Sequence, residues 1–371
     1  MNDGRHVSST ALVGRMLRLA VRVAKARRLP ALCGPAERTA GRAVAVLLTG
    51  AAGFIGYHTA TALLARGERV VGVDNLNAYY DVRLKQARLE LLRRHPGFTF
   101  HAGDIADRDA MFALAAAHPD LAGIVHLAAQ AGVRYSLVDP YAYVSTNVMG
   151  HLVVLETARR LPKFEHLVYA SSSSVYGGNT ALPFRESDRV DTPLSLYAAS
   201  KRADELISAC YGHLHGLPQT GLRFFTVYGA WGRPDMAYFM FAQAIADGKP
   251  ITVYDQGRPR RDFTYIDDIV AGVVGCLDRP PPAPEPVRLF NIGNSHSEPV
   301  VTLIALLEES LGRRAILQQA PLPATDITET RADVSAIGAL TGFEPSTPLS
   351  VGIPRFAAWF LEWHAQARAC G

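Results

Sequence analysis

Apolar and polar positions change pattern sharply at residue 43. Residues 43–48 form an unbroken apolar run, the mark of a short strand buried on both faces. Helical periodicity follows over 57–66 and is closed by Gly67, and 69–74 reads as a second strand. The alternation continues with strands at 98–103, 123–128, 164–170 and 220–227, and helices at 107–118, 140–160 and 191–215. Such alternation predicts right-handed βαβ units and an α/β fold built on a doubly wound parallel sheet. Beyond about residue 228 the periodicity is irregular and broken by Pro280, Pro281, Pro282 and Pro284, which predicts a smaller second domain with a linker-like loop. The expected organisation is an extension over 1–43, the sheet domain over 44–227 and a C-terminal domain over 228–371, some segments of which return to the sheet.

Composition narrows this little: 371 residues, 49% apolar and 19% charged, suit a soluble chain of about two domains. Charge placement says more. Residues 1–43 carry nine basic against two acidic side chains, a net +7, while the remainder is 29 against 32, a net −3. The body is therefore no nucleic-acid binder. In the tail, Leu12, Met16, Leu19 and Val23 recur at helical spacing, with Arg15, Arg18, Arg22 and Lys25 on another face. That pattern suits a basic helix lying on an anionic membrane, but a solvated extension or an upstream start codon explains it as well and is preferred. Cys33, Cys210, Cys276 and Cys370 are widely separated, which argues against a zinc site or a disulfide framework and fits a reducing, cytoplasmic compartment. No apolar run approaches the ~20 residues that span a bilayer.

The first strand runs into Gly50-Ala51-Ala52-Gly53-Phe54-Ile55-Gly56 and then a helix. Between a strand and a helix, three glycines have separate tasks: a tight turn, close backbone approach to a pyrophosphate, and helix-on-strand packing. The helix start offers N–H groups to the phosphates. Asp74, at the end of the next strand, can accept hydrogen bonds from a ribose 2′-hydroxyl and would repel a 2′-phosphate. Asn75-Leu76 brings no arginine to offset it, so the expected cofactor is NAD. With its GxxGxxG spacing this turn resembles that of the short-chain dehydrogenase/reductase superfamily.

Tyr197 and Lys201 stand four apart and share one helix face. A free phenol titrates near ~10, and a neighbouring ammonium can lower it by about 1–3 units. Tyr197 is thus a candidate acid/base and Lys201 its tuner, with a serine hydroxyl completing the proton path. At these residues the chain resembles the extended short-chain dehydrogenase/reductase family of nucleotide-sugar enzymes, through TGAAGFIG, VVGVDN, GDI, HLAAQAGVRYS, SSSSVYG, YAASK, RFFTVYG and RRDFTYIDD. GRPDM at 232–236 together with AAQAGVRYS is most similar to its UDP-glucuronate 4-epimerase branch. The resemblance implies a Rossmann sheet with a smaller C-terminal substrate-binding domain, and Ser172 as the catalytic hydroxyl beside Tyr197 and Lys201. It places Asp104 and Ile105 by the adenine and adds Phe54, Ile55 and Ala128 to the cofactor-binding set. It sets Arg261 on the UDP diphosphate and implies a homodimer through helices near 107–118 and 140–160.

Epimerases, dehydratases and decarboxylases share this scaffold, so the fold alone does not choose among them. In relatives that eliminate or decarboxylate, carboxylates precede the Val-Tyr-Gly turn. Here Ser172-Ser173-Ser174 offer hydroxyls only. Reversible hydride transfer at C4 remains, and a uronate oxidised there becomes a β-keto acid whose carboxylate must be pinned. Arg233 can hold it bidentately. By resemblance Thr226, Ser173 and Ser174 add donors. The expected function is NAD-dependent 4-epimerisation of UDP-glucuronate to UDP-galacturonate. The alternatives are a UDP-hexose 4-epimerase, a UDP-glucuronate decarboxylase and, more distantly, a non-catalytic NAD-binding regulator. The chain departs from its relatives at Ala230, where proline is usual and loosening of the Arg233 loop is expected, at Arg331 and at 323–326.

Overall fold

The computed structural model describes residues 44–322 and 327–369. The basic extension with its helical pattern, Cys33, Cys370 and the 323–326 departure lie outside the described residues. The first half runs β1 (Ala45–Thr49), α1 (Phe54–Ala65), β2 (Arg69–Asp74), α2 (Val82–Arg93), β3 (Phe98–Ala102), α3 (Arg108–Ala117) and β4 (Leu121–His126). Next, α4 (Pro140–Tyr143) passes through a π-helical turn, Val144–Met149, into α5 (Gly150–Ala158), followed by β5 (His166–Ser172), α6 (Leu196–His215) and β6 (Gln219–Phe224). The rest is β7 (Thr226–Tyr228), α7 (Ala237–Asp247), β8 (Pro250–Tyr254), β9 (Arg260–Tyr265), α8 (Ile266–Leu277), β10 (Val287–Ile292), β11 (Ser297–Pro299), α9 (Val300–Leu311), β12 (Ile316–Ala320), α10 (Ser335–Thr341) and α11 (Leu349–Ala369).

Seven parallel strands form the main sheet in the order β10-β6-β5-β4-β1-β2-β3. Every residue of β1 and β4 is buried, as strands covered by helices on both faces must be. Strand order reverses between β1 and β4, and a crevice opens there at the carboxyl ends of the strands, where α/β sheets bind ligands. The C-terminal part adds a three-stranded sheet, β11-β9-β7, and the pair β12-β8, while β10 completes the main sheet.

Several boundaries differ from those expected. Residues 191–195 are not helical: Pro193 disfavours helix at the residue before it, and Ser195 starts α6 by accepting from Ala198 N at 3.1 Å. The helix expected over 140–160 is interrupted by the π turn, the strand over 220–227 breaks at Phe225, and the fifth strand extends to Ser172. Helix α2 was not expected. It carries Arg83, Lys85, Arg88 and Arg93, of which Lys85 and Arg88 are buried. Among the described residues no helix is long and apolar enough to cross a membrane.

Candidate active site

A cleft of about 520 Å³ lies over the strand crevice. Gly50, Gly53, Phe54, Ile55 and Gly56 form one wall, with Asp74, Ile105 and Ala128 around them. The glycines are sterically required. A Cβ at Gly50 would stand 2.7 Å from Ala128 N, and one at Gly56 would stand 2.0 Å from Gly50 O. The first helical bond, Tyr57 N to Gly53 O at 3.0 Å, leaves the amides of Phe54, Ile55 and Gly56 ahead of the helical ladder. Asp74 is set beside this turn by Ala52 N (3.1 Å to Oδ2) and Leu76 N (2.8 Å to Oδ1). Asp104 is not in the cleft wall. It is exposed, accepting from Asn75 Nδ2 at 3.0 Å and Ala106 N at 2.9 Å, while its neighbours Gly103 and Ile105 line the cleft.

The same cleft is also lined by Ser172, Ser173, Ser174, Tyr197, Lys201, Thr226, Arg233 and Arg261. Tyr197 and Lys201 come from the first turns of α6. The phenol of Tyr197 has no hydrogen-bond partner among the described residues, and its ring meets Tyr143 edge-on at 6.0 Å. Lys201 Nζ donates to Ala170 O (2.9 Å) at the end of β5 and to Asp204 Oδ2 (3.1 Å). The first turn of α6 is braced by the π turn. Asn147 bonds Gln130 through both its amide atoms, at 2.8 and 3.1 Å, and donates to Ser200 Oγ at 2.9 Å. Ser200 in turn donates to Tyr197 O at 2.8 Å. A π turn adds one residue per turn and so redirects the side chain it carries.

The four serines divide. Ser171 points into the interior and donates to Glu205 Oε1 at 2.6 Å, where Glu205 is already paired with Arg223. Ser172 Oγ accepts from Ser174 N (3.2 Å) and Ser174 Oγ (3.0 Å) at the start of a 3₁₀ turn, Ser173–Tyr176. Asp74, beside the glycine turn, is the sole carboxylate among the described residues that line the cleft.

Arg233 sits on the loop after β7, and that loop is held from behind. His58 Nε2 lies 2.9 Å from Ala230 O. Arg88, fully buried on α2, donates to Trp231 O (2.6 and 3.1 Å), Gly232 O (3.0 Å), Ala52 O (2.8 Å) and Tyr80 Oη (2.8 Å). It thereby ties the glycine turn to the Arg233 loop. Arg88, Asn147 and Asp204 escaped the sequence reading. Only their burial marks them, and Asp204 alone carried a cue, being one turn from Lys201.

Buried imidazoles pack behind the site. His126 Nδ1 lies 2.7 Å from Thr49 Oγ1, and its ring stacks on His151 at 5.4 Å. Burial and the nearby Lys201 charge lower both, His151 to about 3.

The family model described as NAD dependent epimerase/dehydratase matches residues 46–293. An uncharacterised 37.6 kDa protein of Escherichia coli O111:H- is 49% identical over 334 residues, covering 86% of this chain and 98% of that protein. A probable UDP-glucuronate 4-epimerase of Rhizobium meliloti is 45% identical over 338 residues, covering 86% and 98%. A crystal structure of the UDP-glucuronic acid 4-epimerase of Bacillus cereus, with UDP-glucuronic acid and NAD, superposes with a TM-score of 0.79 at 32% identity, covering 86% of this chain and all of the other.

Proposed function

The chain belongs to the NAD dependent epimerase/dehydratase family, and on that footing we propose that it interconverts UDP-glucuronate and UDP-galacturonate by epimerisation at C4. One observation carries the choice within the family. The cleft holding Tyr197 and Lys201 also presents Ser172, Ser173, Ser174 and Arg233, and its sole carboxylate among the described residues is Asp74, beside the glycine turn. Elimination lacks its acid/base pair there, and a substrate carboxylate has a cation to meet. Relatives named UDP-glucuronate 4-epimerase support the reading.

The residues present fit NAD. The glycine wall has no room for a Cβ at Gly50 or Gly56, the α1 amides face phosphate chemistry, and Asp74 suits a ribose diol. When bound, this cofactor reversibly accepts hydride from C4, so net redox is zero. Tyr197, as phenolate, takes the 4-hydroxyl proton and returns it after the 4-keto sugar has turned over. Lys201 favours the phenolate, and Ser172 hydrogen-bonds the reacting oxygen. Arg233, with Ser173, Ser174 and Thr226, holds the carboxylate of the β-keto acid so that it does not depart as carbon dioxide. Arg261 meets the diphosphate. Asp104, on the rim, and Ile105 border the adenine.

The proposal includes a homodimer in the cytoplasm. Exposed Val144 and Met149 of the π turn and Leu206 and Leu214 of α6 give those helices apolar surface.

The test is incubation of the purified protein with UDP-glucuronate, without added NAD, and separation of products with mass detection. A same-mass product coeluting with UDP-galacturonate is expected. A product lighter by carbon dioxide as the main species, or no conversion with NAD and other UDP-hexoses supplied, would overturn the reading.

A further inference from the structure

We propose that Asp235 and Tyr79 are positioning residues, which grip Arg233 by one edge of its guanidinium and leave the other edge to a substrate carboxylate. The inference rests on the uronate reading and deepens it.

A guanidinium offers two forks of paired N–H groups, one along Nε and Nη2 and one along Nη1 and Nη2. In this protein the first fork is taken. Nε donates to Asp235 Oδ1 at 3.0 Å, and Nη2 donates to Asp235 Oδ2 at 2.6 Å. Nη1 makes no hydrogen bond among the described residues, Nη2 has besides Asp235 only a long, weak contact to Met236 Sδ at 3.9 Å, which a carboxylate would displace, and a quarter of the Arg233 side chain is exposed where it lines the cleft. The pair therefore fixes the plane of the guanidinium and aims its remaining donors.

Asp235 is itself held. Tyr79 Oη donates to Oδ2 at 3.0 Å. Burial would raise the Asp235 carboxyl, but the Arg233 charge and these hydrogen bonds outweigh it and keep the group below its usual range. Tyr79 comes from the loop between β2 and α2 and packs on Tyr135 with ring centroids 4.8 Å apart. Its hydroxyl also lies over Gly132. A Cβ there would stand 2.3 Å from Oη, and the residue has φ +100°, which glycine adopts without strain. Three segments distant in sequence thus converge on one guanidinium: Tyr79, the Gly132–Tyr135 stretch and the Arg233–Asp235 loop. Arg88 fixes the loop backbone from the other side. Backbone and side chain of Arg233 are set by separate devices.

The opposite role, Asp235 as an internal stand-in that occupies Arg233 until substrate displaces it, makes the opposite prediction. Losing a gripping carboxylate weakens uronate binding, whereas losing a competing one strengthens it.

The experiment compares wild type with Asp235→Asn and Tyr79→Phe, both close in shape to the originals, on UDP-glucuronate. The readouts are KM, kcat, the share of product that has lost carbon dioxide, bound NAD and thermal midpoint. For Asp235→Asn a KM about tenfold higher and a several-fold larger decarboxylated share are expected, with NAD content and midpoint near wild type. Tyr79→Phe should move both in the same direction by less. An unchanged or lower KM with an unchanged product share in both variants would overturn the inference while leaving the epimerase reading intact. A wild-type protein inert toward UDP-glucuronate would remove that reading and this inference with it.

Discussion

Lys201 and Asp204 form an ion pair sealed from water, Nζ to Oδ2 3.1 Å, with side chains only 3% and 1% exposed. Glu205 on the same helix and Tyr169 on β5 also interact with the Asp204 carboxyl, and His151 on α5 meets the Asp204 backbone. Burial pushes the Asp204 carboxyl up to about 6, against the pull of Lys201. Asp204→Asn takes from Lys201 Nζ its buried carboxylate and leaves it the Ala170 carbonyl. If the pair positions Lys201 for turnover, kcat should fall several-fold with bound NAD unchanged. A kcat at the wild-type level would reduce the pair to a packing element.

The same pair predicts a stability signature. The folded pKa lies above the ordinary 3.8, so the carboxylate disfavours the fold above pH 6 and the penalty fades as pH falls through 6. Wild type should gain about 1 kcal/mol relative to Asp204→Asn between pH 7 and pH 5. Urea unfolding of both proteins at the two pH values measures it, and a gap of constant size would contradict the assignment.

Among the described residues Arg88, a buried cation, has no counter-ion within hydrogen-bonding distance and is satisfied by backbone carbonyls and one phenol. Truncation to methionine leaves the carbonyls of Ala52, Trp231 and Gly232 without their donor, at about 1–3 kcal/mol for each group that water does not reach. Trp231 adds a strained backbone, φ +62°, that this donor steadies. Arg88→Met should therefore lose several kcal/mol of stability and unfold at a clearly lower temperature. Arg88→Lys, which keeps the charge but not the fork, should fall between. A methionine variant with the wild-type midpoint would show that the loop needs no such tie.

The glycine wall gives a cleaner steric case. Gly56→Ala places a methyl 2.0 Å from Gly50 O, so α1 must shift and the cofactor wall with it. Loss of copurifying NAD and a lowered midpoint are expected. Gly178→Ala, where nothing lies within 4 Å, should change neither. Equal behaviour of the two variants would argue against the steric account.

How much of this was readable in the sequence follows from what each feature depends on. Fully buried strands announce themselves as apolar runs, and β2 was placed to the residue because Asp74 ends it. The glycine turn and the Tyr197–Lys201 spacing are local patterns, and local patterns survive in a sequence. Helix α2 was missed for a physical reason. Its buried face includes Arg88 and Lys85, whose partners come from positions as distant as 231 and 232 or from the Asn77 loop, so no local period reveals them. The π turn that aims Asn147 is equally silent, since one extra residue per turn leaves the helical composition unchanged. Asp104 was carried over by likeness alone; its bonds to Asn75 and Ala106, which set it at the rim of the cleft, leave no mark in the local sequence.

The serine run, finally, makes a prediction that separates structure from chemistry within two adjacent residues. Ser171 and Ser172 alternate across β5, as strand neighbours do. The Ser171 hydroxyl faces the buried Glu205–Arg223 pair, and the Ser172 hydroxyl faces Ser174 and the cleft. Ser171→Ala removes a donor to a buried carboxylate that keeps two bonds from Arg223 and one from Arg202. It should cost about 1–3 kcal/mol of stability and leave kcat near wild type. Ser172→Ala removes the cap of the half-buried Ser174 N and, on the proposed role, the hydroxyl that meets the reacting oxygen. It should lower kcat about a hundredfold or more with a midpoint only slightly lowered. Measuring midpoint and kcat for both variants gives a crossed pattern if the assignment is right. If Ser171→Ala loses turnover at full stability, the side of the strand that faces the chemistry has been misassigned.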